Sequence, residues 1–149
     1  MSGVAVFVLL LLTLCGMAWG FRTLLLGLLV QSAERGTLIP VSLTLARVPV
    51  PAGEAFVLSL PARRPGEGLR ALGSLVLTSG RVRLVRRGTV EVDLPLSQIE
   101  HLTVQGGTLR VTRRGASDPV AVRVAQPAVI ARYIRCLAIR STGPRLSFR

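Results

Sequence analysis

The stretch "RVRLVRRGTVEVDL", residues 81–94, alternates arginine with aliphatic side chains, breaks at a glycine, then alternates again with acids. Successive side chains of a β-strand point to opposite faces, so this period-two pattern describes a half-buried strand and no helix. The neighbouring segments set a register. With Ser79-Gly80 as a two-residue hairpin turn, Leu77 faces Val82 and Leu75 faces Leu84. With Arg86-Arg87-Gly88 as a three-residue loop and Gly88 in the left-handed conformation, Leu84 faces Val90 and Val82 faces Val92. Arg83 then faces Glu91 and Arg81 faces Asp93. Every apolar side chain falls on one face and every charge on the other, an agreement that a one-residue slip would destroy.

The pattern repeats along the chain. A turn at Gly106-Gly107 sets Val104 opposite Leu109 and Leu102 opposite Val111, with Thr103 and Arg110 on the outer face. "EAFVLSL" (54–60) reads as an earlier strand, and Val120, Val122 and Val124 mark a later one. The period then changes. In "AQPAVIARYIRCLAIR", Pro127 suits a first helical turn, and Ile130, Tyr133, Ile134 and Leu137 make one apolar stripe. The predicted fold class is mainly β: a small β-barrel or two-sheet sandwich of about seven antiparallel strands with a C-terminal helix at one end.

A different segment precedes this domain. "VAVFVLLLLTLCGMAWGF", Val4–Phe21, is uncharged, and as a helix it extends about 27 Å against a hydrocarbon core of about 30 Å. Trp19, Phe21 and Arg22 have the composition of a membrane interface, aromatic rings followed by a cation. The following "TLLLGLLV" is too short to cross again and either extends the helix or lies along the interface. Cleavage as a signal peptide is the competing reading, at Gly16-Met17-Ala18 or Ala18-Trp19-Gly20. The absence of a basic residue ahead of the apolar run and the return of hydrophobicity after Arg22 favour an uncleaved anchor. All nineteen basic residues follow the apolar run, which predicts a single-pass membrane protein with its C-terminal domain in the cytoplasm. The expected organisation is a transmembrane helix and interfacial extension at 1–30, a Pro-containing linker at 31–52, a β-domain at 53–140 and a tail at 141–149. Within the linker, "VSLTLARV" alternates as an edge strand does.

The net charge of +12 is carried by arginine alone and favours anionic partners. Four Phe, one Tyr, one Trp and one His offer little for base stacking, which argues against nucleic acid. Cys15 and Cys136 form no CxxC and have no neighbouring histidine, so neither a disulfide framework nor a metal site is expected. Cys136 has Arg132, Arg135 and Arg140 near it in sequence, an arrangement that lowers a thiol pKa, against a plain reading as a buried structural thiol. His101 faces Thr112 on the outer surface, with Glu100 on the opposite face, so no acid–base pair is expected. Without a phosphate loop, HExxH, GxSxG or paired catalytic carboxylates, the chain reads as a non-enzyme with no cofactor and no small-molecule substrate.

The string "GEAFVLSL…LGSLVLTSGRVRLVRRG…VDLPLSQIEHLTVQGGTLRVTRRG…VAVRVAQPAVIARYIRCL" resembles the pleckstrin-homology (PH) superfold in its bacterial PH-like or GRAM-like form. The resemblance spans roughly residues 53–140 and rests on hydrophobic and turn signatures; the Pro/Gly/Arg insert at 61–71 departs from it. It implies that the first, third and sixth interstrand loops surround one open end, where some members bind phosphorylated headgroups. Those loops carry Arg63, Arg64, Arg70, Arg86, Arg87, Arg113 and Arg114, which together would form one basic rim. Guanidinium forks suit phosphate oxygens. The competing reading leaves these arginines solvated, giving only a general attraction to membranes. The expected partners are anionic lipid headgroups, with a protein partner or a second copy as further possibilities. The expected function is a membrane-anchored binding or scaffolding module. The alternatives are an accessory subunit docking on an integral-membrane transporter or enzyme, and a secreted or periplasmic β-domain after signal cleavage.

Overall fold

The structure is a computed structural model that describes residues 3–44 and 49–142. Its first element, α1 (Gly3–Glu34), is a single uninterrupted helix of 32 residues. The side chains from Val4 to Phe21 are exposed. Beyond them Leu26, Leu29, Val30 and Ala33 are buried at the i, i+3, i+4, i+7 spacing of one helix face. The segment "TLLLGLLV" therefore extends the helix. It does so as part of the domain's own core.

The remaining elements are β1 (Val41–Ser42), β2 (Phe56–Arg63), β3 (Gly73–Thr78), β4 (Arg81–Arg86), β5 (Thr89–Pro95), β6 (Ile99–Gln105), β7 (Thr108–Arg113), β8 (Val120–Val124) and α2 (Pro127–Thr142). The hydrogen-bonded order is β5-β4-β3-β2-β8-β7-β6, antiparallel throughout, with β1 added parallel to β2. β2 is the pivot: it pairs with β3 along its length, while Ala62 and Arg63 also pair with Val124 and Arg123 of β8. The two ends of the path, β5 and β6, do not pair with each other, so the sheet stays open. α2 lies over β6, β7 and the 3-10 turn Leu96–Gln98. Ile130, Tyr133, Ile134 and Leu137 are its buried stripe, as the period change predicted.

The segment after α1 folds back onto the sheet. Leu38, Val41 and Leu43 pack against the core, the Leu43 N–H donates to the Ser59 carbonyl at 2.7 Å, and the Thr44 and Ser59 hydroxyls are 2.6 Å apart. The predicted edge strand is thus the two-residue β1; residues 45–48 of that prediction, and 143–149 of the tail, lie outside the described residues.

Two of the three hairpin registers are as the alternation required. Leu77 faces Val82, Leu75 faces Leu84, Val104 faces Leu109 and Leu102 faces Val111. The β4–β5 hairpin differs. Its turn is two residues, Arg87 (φ 49°) and Gly88 (φ 80°), a pair of positive φ angles whose twist matches that of the strands. A two-residue turn alone would put each partner on the wrong face. A bulge between Leu84 and Val85 adds one residue and restores the alternation. The net shift is two residues: Leu84 faces Val92, Val82 faces Leu94 and Arg83 faces Asp93, in place of Val90, Val92 and Glu91. Every face assignment survives. Of the two expected ion pairs, Arg81–Asp93 is present at 3.3 Å, while Arg83 pairs with Asp93 in place of Glu91.

Candidate functional site

The acids decide which arginines are available. At the N-terminus of β2, Glu54 accepts hydrogen bonds from the Thr78 hydroxyl at 2.5 Å and Arg81 Nε at 2.6 Å. Burial works to raise the Glu54 pKa, but those two donors and the charges of Arg81 and Arg83 outweigh it and hold the carboxyl below its ordinary range. Asp93 takes Arg83 Nη2 at 2.8 Å and Arg81 Nη1 at 3.3 Å, and Arg83 also donates to the Pro49 carbonyl. The Arg83 hydrogen bond, against the opposing effect of desolvation, holds Asp93 low as well. This outer-face network ties the entry of β2 to the β3–β4 turn and to β5. Its role is structural.

A second network lies among the predicted rim residues. Arg63 ends β2, Arg64 opens the connection to β3, and Arg86 ends β4. Glu67, inside that connection, accepts Arg86 Nη2 at 2.5 Å and the Arg64 N–H at 3.2 Å, while its carbonyl accepts Arg63 Nη1 at 3.2 Å. Glu91 Oε1 lies 3.2 Å from Arg86 Nε and its Oε2 lies 3.6 Å from Arg64 Nε. The Arg86 hydrogen bond holds Glu67 below the ordinary carboxylate range. Arg63, Arg64 and Arg86 are thus brought together; Glu67 and Glu91 offset the charges of Arg64 and Arg86, while Arg63 is held by a backbone carbonyl and keeps its charge. Sequence reasoning missed Glu67, although it sits within the 61–71 insert, and paired Glu91 with Arg83.

Arg70, Arg87, Arg113 and Arg114 are exposed and make no ion pair among the described residues. The Arg114 N–H donates to the Gln98 carbonyl at 2.8 Å, which fixes the β7–β8 turn against the 3-10 turn before β6. Between the first and last of these loops lies an open cleft of about 490 Å³, with Arg64, Pro65 and Val92 on its lining together with Asp118–Ala121. It brings two predicted loops to one place. Asp118 there opposes an anion.

On α1, Trp19 and Phe21 are 66% and 68% exposed, while Arg22 is half-buried with its Nε shielded from solvent and unpartnered. The next residue already touches the domain: Gln126 Nε2 donates to the Thr23 hydroxyl at 2.7 Å. Arg132 pairs with Glu34 at 2.6 Å, and Arg140 donates to the Ala33 carbonyl. Cys136 is half-buried, and burial, aided by Glu34, pushes its thiol pKa up. The expected depression by the neighbouring arginines is outweighed, so the plain structural reading of Cys136 stands. His101 faces Thr112 as expected. The bulge at Ile99–His101 brings Glu100 to 3.9 Å from its Nε2, where the alternation had put the two on opposite faces; both are exposed.

A four-strand meander (β2–β5), a three-strand meander (β6–β8) that returns to β2, and a terminal helix laid over the second group make a mainly-β domain with about the expected number of antiparallel strands. Similar solved structures include a DUF1696 family protein with a pleckstrin-homology domain from Shewanella loihica, 20% identical, covering 60% of this chain and 85% of its own at a TM-score of 0.46. The N-terminal PH domain of human ARAP2 is 17% identical, covering 68% of this chain and 92% of its own at a TM-score of 0.40. No family model and no curated protein matches the chain. Among the described residues, one helix, which precedes the β-domain, is long and apolar enough to cross a membrane.

Proposed function

We propose that this chain is a membrane-anchored, non-enzymatic binding module: α1 spans the bilayer, the PH-like domain faces the cytoplasm, and its arginine-bearing loops hold an anionic, phosphate-bearing ligand such as a lipid headgroup. The observation that carries the reading is the division of α1. Its first eighteen or so residues expose apolar side chains on all sides, a surface that water does not tolerate and a bilayer does, while its last turns belong to the domain core. For the ligand, support comes from Arg70, Arg87, Arg113 and Arg114, whose guanidinium groups carry no acid partner among the described residues. Arg64 and Arg86 join them only if a ligand displaces Glu67 and Glu91, whereas Arg63 is free of an acid partner among the described residues.

The test uses the full chain held in neutral phosphatidylcholine nanodiscs, because Leu26–Ala33 and Leu38–Leu43 are part of the packed domain. Added vesicles containing anionic lipid should co-float with the discs, less so as salt rises and screening shortens to about 8–10 Å. Arg87→Gln with Arg114→Gln should weaken capture several-fold. Arg35→Gln with Arg110→Gln removes the same charge outside the loops and should not. Equal loss from both pairs would mean diffuse attraction by net charge, and no capture by the native chain would favour the docking-subunit alternative.

A further inference from the structure

The anchor is docked on the domain, not tethered to it. The helix-to-domain contacts begin at Thr23, one residue past Arg22, and continue through Leu26, Leu29, Val30, Ala33 and Glu34. Thr23 meets Gln126 just before α2, while Ala33 and Glu34 meet Arg140 and Arg132 further along it. The docked part of α1 and α2 therefore run in the same sense, and the N-terminus of α2 is the end nearer the span. From Thr23 to Glu34 the helix rises about 16 Å.

The second strand group follows the same direction. β8 ends two residues before Gln126, and Arg123 on it pairs with Thr108 of β7 and with Arg63 of β2. Arg135, two turns into α2, donates to the Leu102 carbonyl in the middle of β6 at 2.9 Å. α2 also packs on the 3-10 turn Leu96–Gln98, whose Gln98 carbonyl accepts the Arg114 N–H. From Thr108 to Arg114 is about 20 Å of strand. One end of this group lies beside the span and the Arg113-Arg114 turn lies at the other.

Resting on the reading of α1 as a membrane span, we propose that the corner formed by Arg22, Arg123 and Ala125–Ala128 is the surface that meets the chain's own bilayer, with the Arg113-Arg114 turn held at the far end. Arg123 is exposed and without an ion pair among the described residues, and Ala128 is exposed on the first turn of α2. The charge of Arg22 and Arg123 suits phosphate headgroups, and small side chains at Ala125 and Ala128 allow close approach. A gap of about 15–20 Å is roughly two screening lengths at 0.15 M salt, so the far turn is beyond the attraction of that bilayer. Its anionic ligand therefore arrives from the aqueous side.

Single cysteines measure this directly in the full chain reconstituted in phosphatidylcholine vesicles. Ala128→Cys and Ser117→Cys, each in a Cys15→Ser, Cys136→Ala background, carry a fluorophore at two exposed positions. A lipid with a headgroup nitroxide should quench the label at 128 several-fold more than the label at 117. Equal quenching at the two positions, or stronger quenching at 117, overturns the proposed mounting. A third label on Cys15 in the Cys136→Ala chain should be quenched by an acyl-chain nitroxide. If it is not, the span itself is wrong and the mounting falls with it; if it is, and 117 and 128 behave alike, only the mounting fails.

Discussion

Replacing Arg83 and Asp93 singly and together tests the β4–β5 register. Arg83 is unusually sheltered for an arginine on an outer face, with its side chain 12% exposed and its Nη2 2.8 Å from Asp93 Oδ2. At an effective dielectric of about 20 the direct attraction is roughly 6 kcal/mol, most of which desolvation and side-chain ordering offset. Exposed pairs measure about 0.2–1 kcal/mol, and hydrogen bonds to charged groups about 1.5–3. A half-sheltered pair falls between, so Arg83→Ala combined with Asp93→Ala should show a coupling of about 1–1.5 kcal/mol. Arg83→Ala with Glu91→Ala should show a coupling within about 0.3 kcal/mol of zero, since those side chains share no contact. The assay is urea denaturation of the full chain in neutral detergent micelles, followed by Tyr133 fluorescence. Tyr133 is 1% exposed in the core, whereas Trp19 lies on the exposed half of α1 and reports little of the domain. Leu84→Asp, at a position 1% exposed facing Val92, should abolish the cooperative transition and serves as the inward-facing control. Coupling of Arg83 with Glu91 and none with Asp93 would refute the two-residue turn and its bulge.

Gly73→Ala should destabilise the domain by about 1–3 kcal/mol in the same assay, because a Cβ there would stand 2.6 Å from the Val85 carbonyl oxygen, which is backbone and gives only if β4 moves. Gly80→Ala, whose Cβ would meet the Glu54 carboxyl at 3.1 Å, should cost less, since a side chain has more freedom to adjust. Glu54, Asp93 and Glu67 all have folded pKa values below their ordinary ones, so each stabilises the fold above the unfolded value near 4 and loses that contribution as pH falls through the folded one. The urea midpoint should be flat from pH 7 to about 5 and drop below about 4, and Asp93→Asn should shrink the drop; an unchanged midpoint at pH 3 would contradict the networks.

Alternation in the sequence determined the faces of β3 to β8, two of three hairpin registers, the stripe of α2 and the existence of a long apolar helix. These depend on local period and turn chemistry, which a chain carries wherever it folds. The third register depended on whether Arg87 takes a positive φ and on a bulge that compensates. Both alternatives keep Leu84 inside and Arg83 outside, so the alternation could not choose between them. The state of the arginine rim was equally hidden. Glu67 reaches Arg86, and Glu91 reaches Arg64, only when the two loops meet, so counting loop arginines overstated the free charge. The docked end of α1 left little local mark for a different reason: Leu26, Leu29 and Val30 sit in the run Leu24–Val30, which is apolar on every side, so the stripe facing the domain cannot be told from the rest. Only packing against α2 separates the turns that belong to the domain from those left exposed.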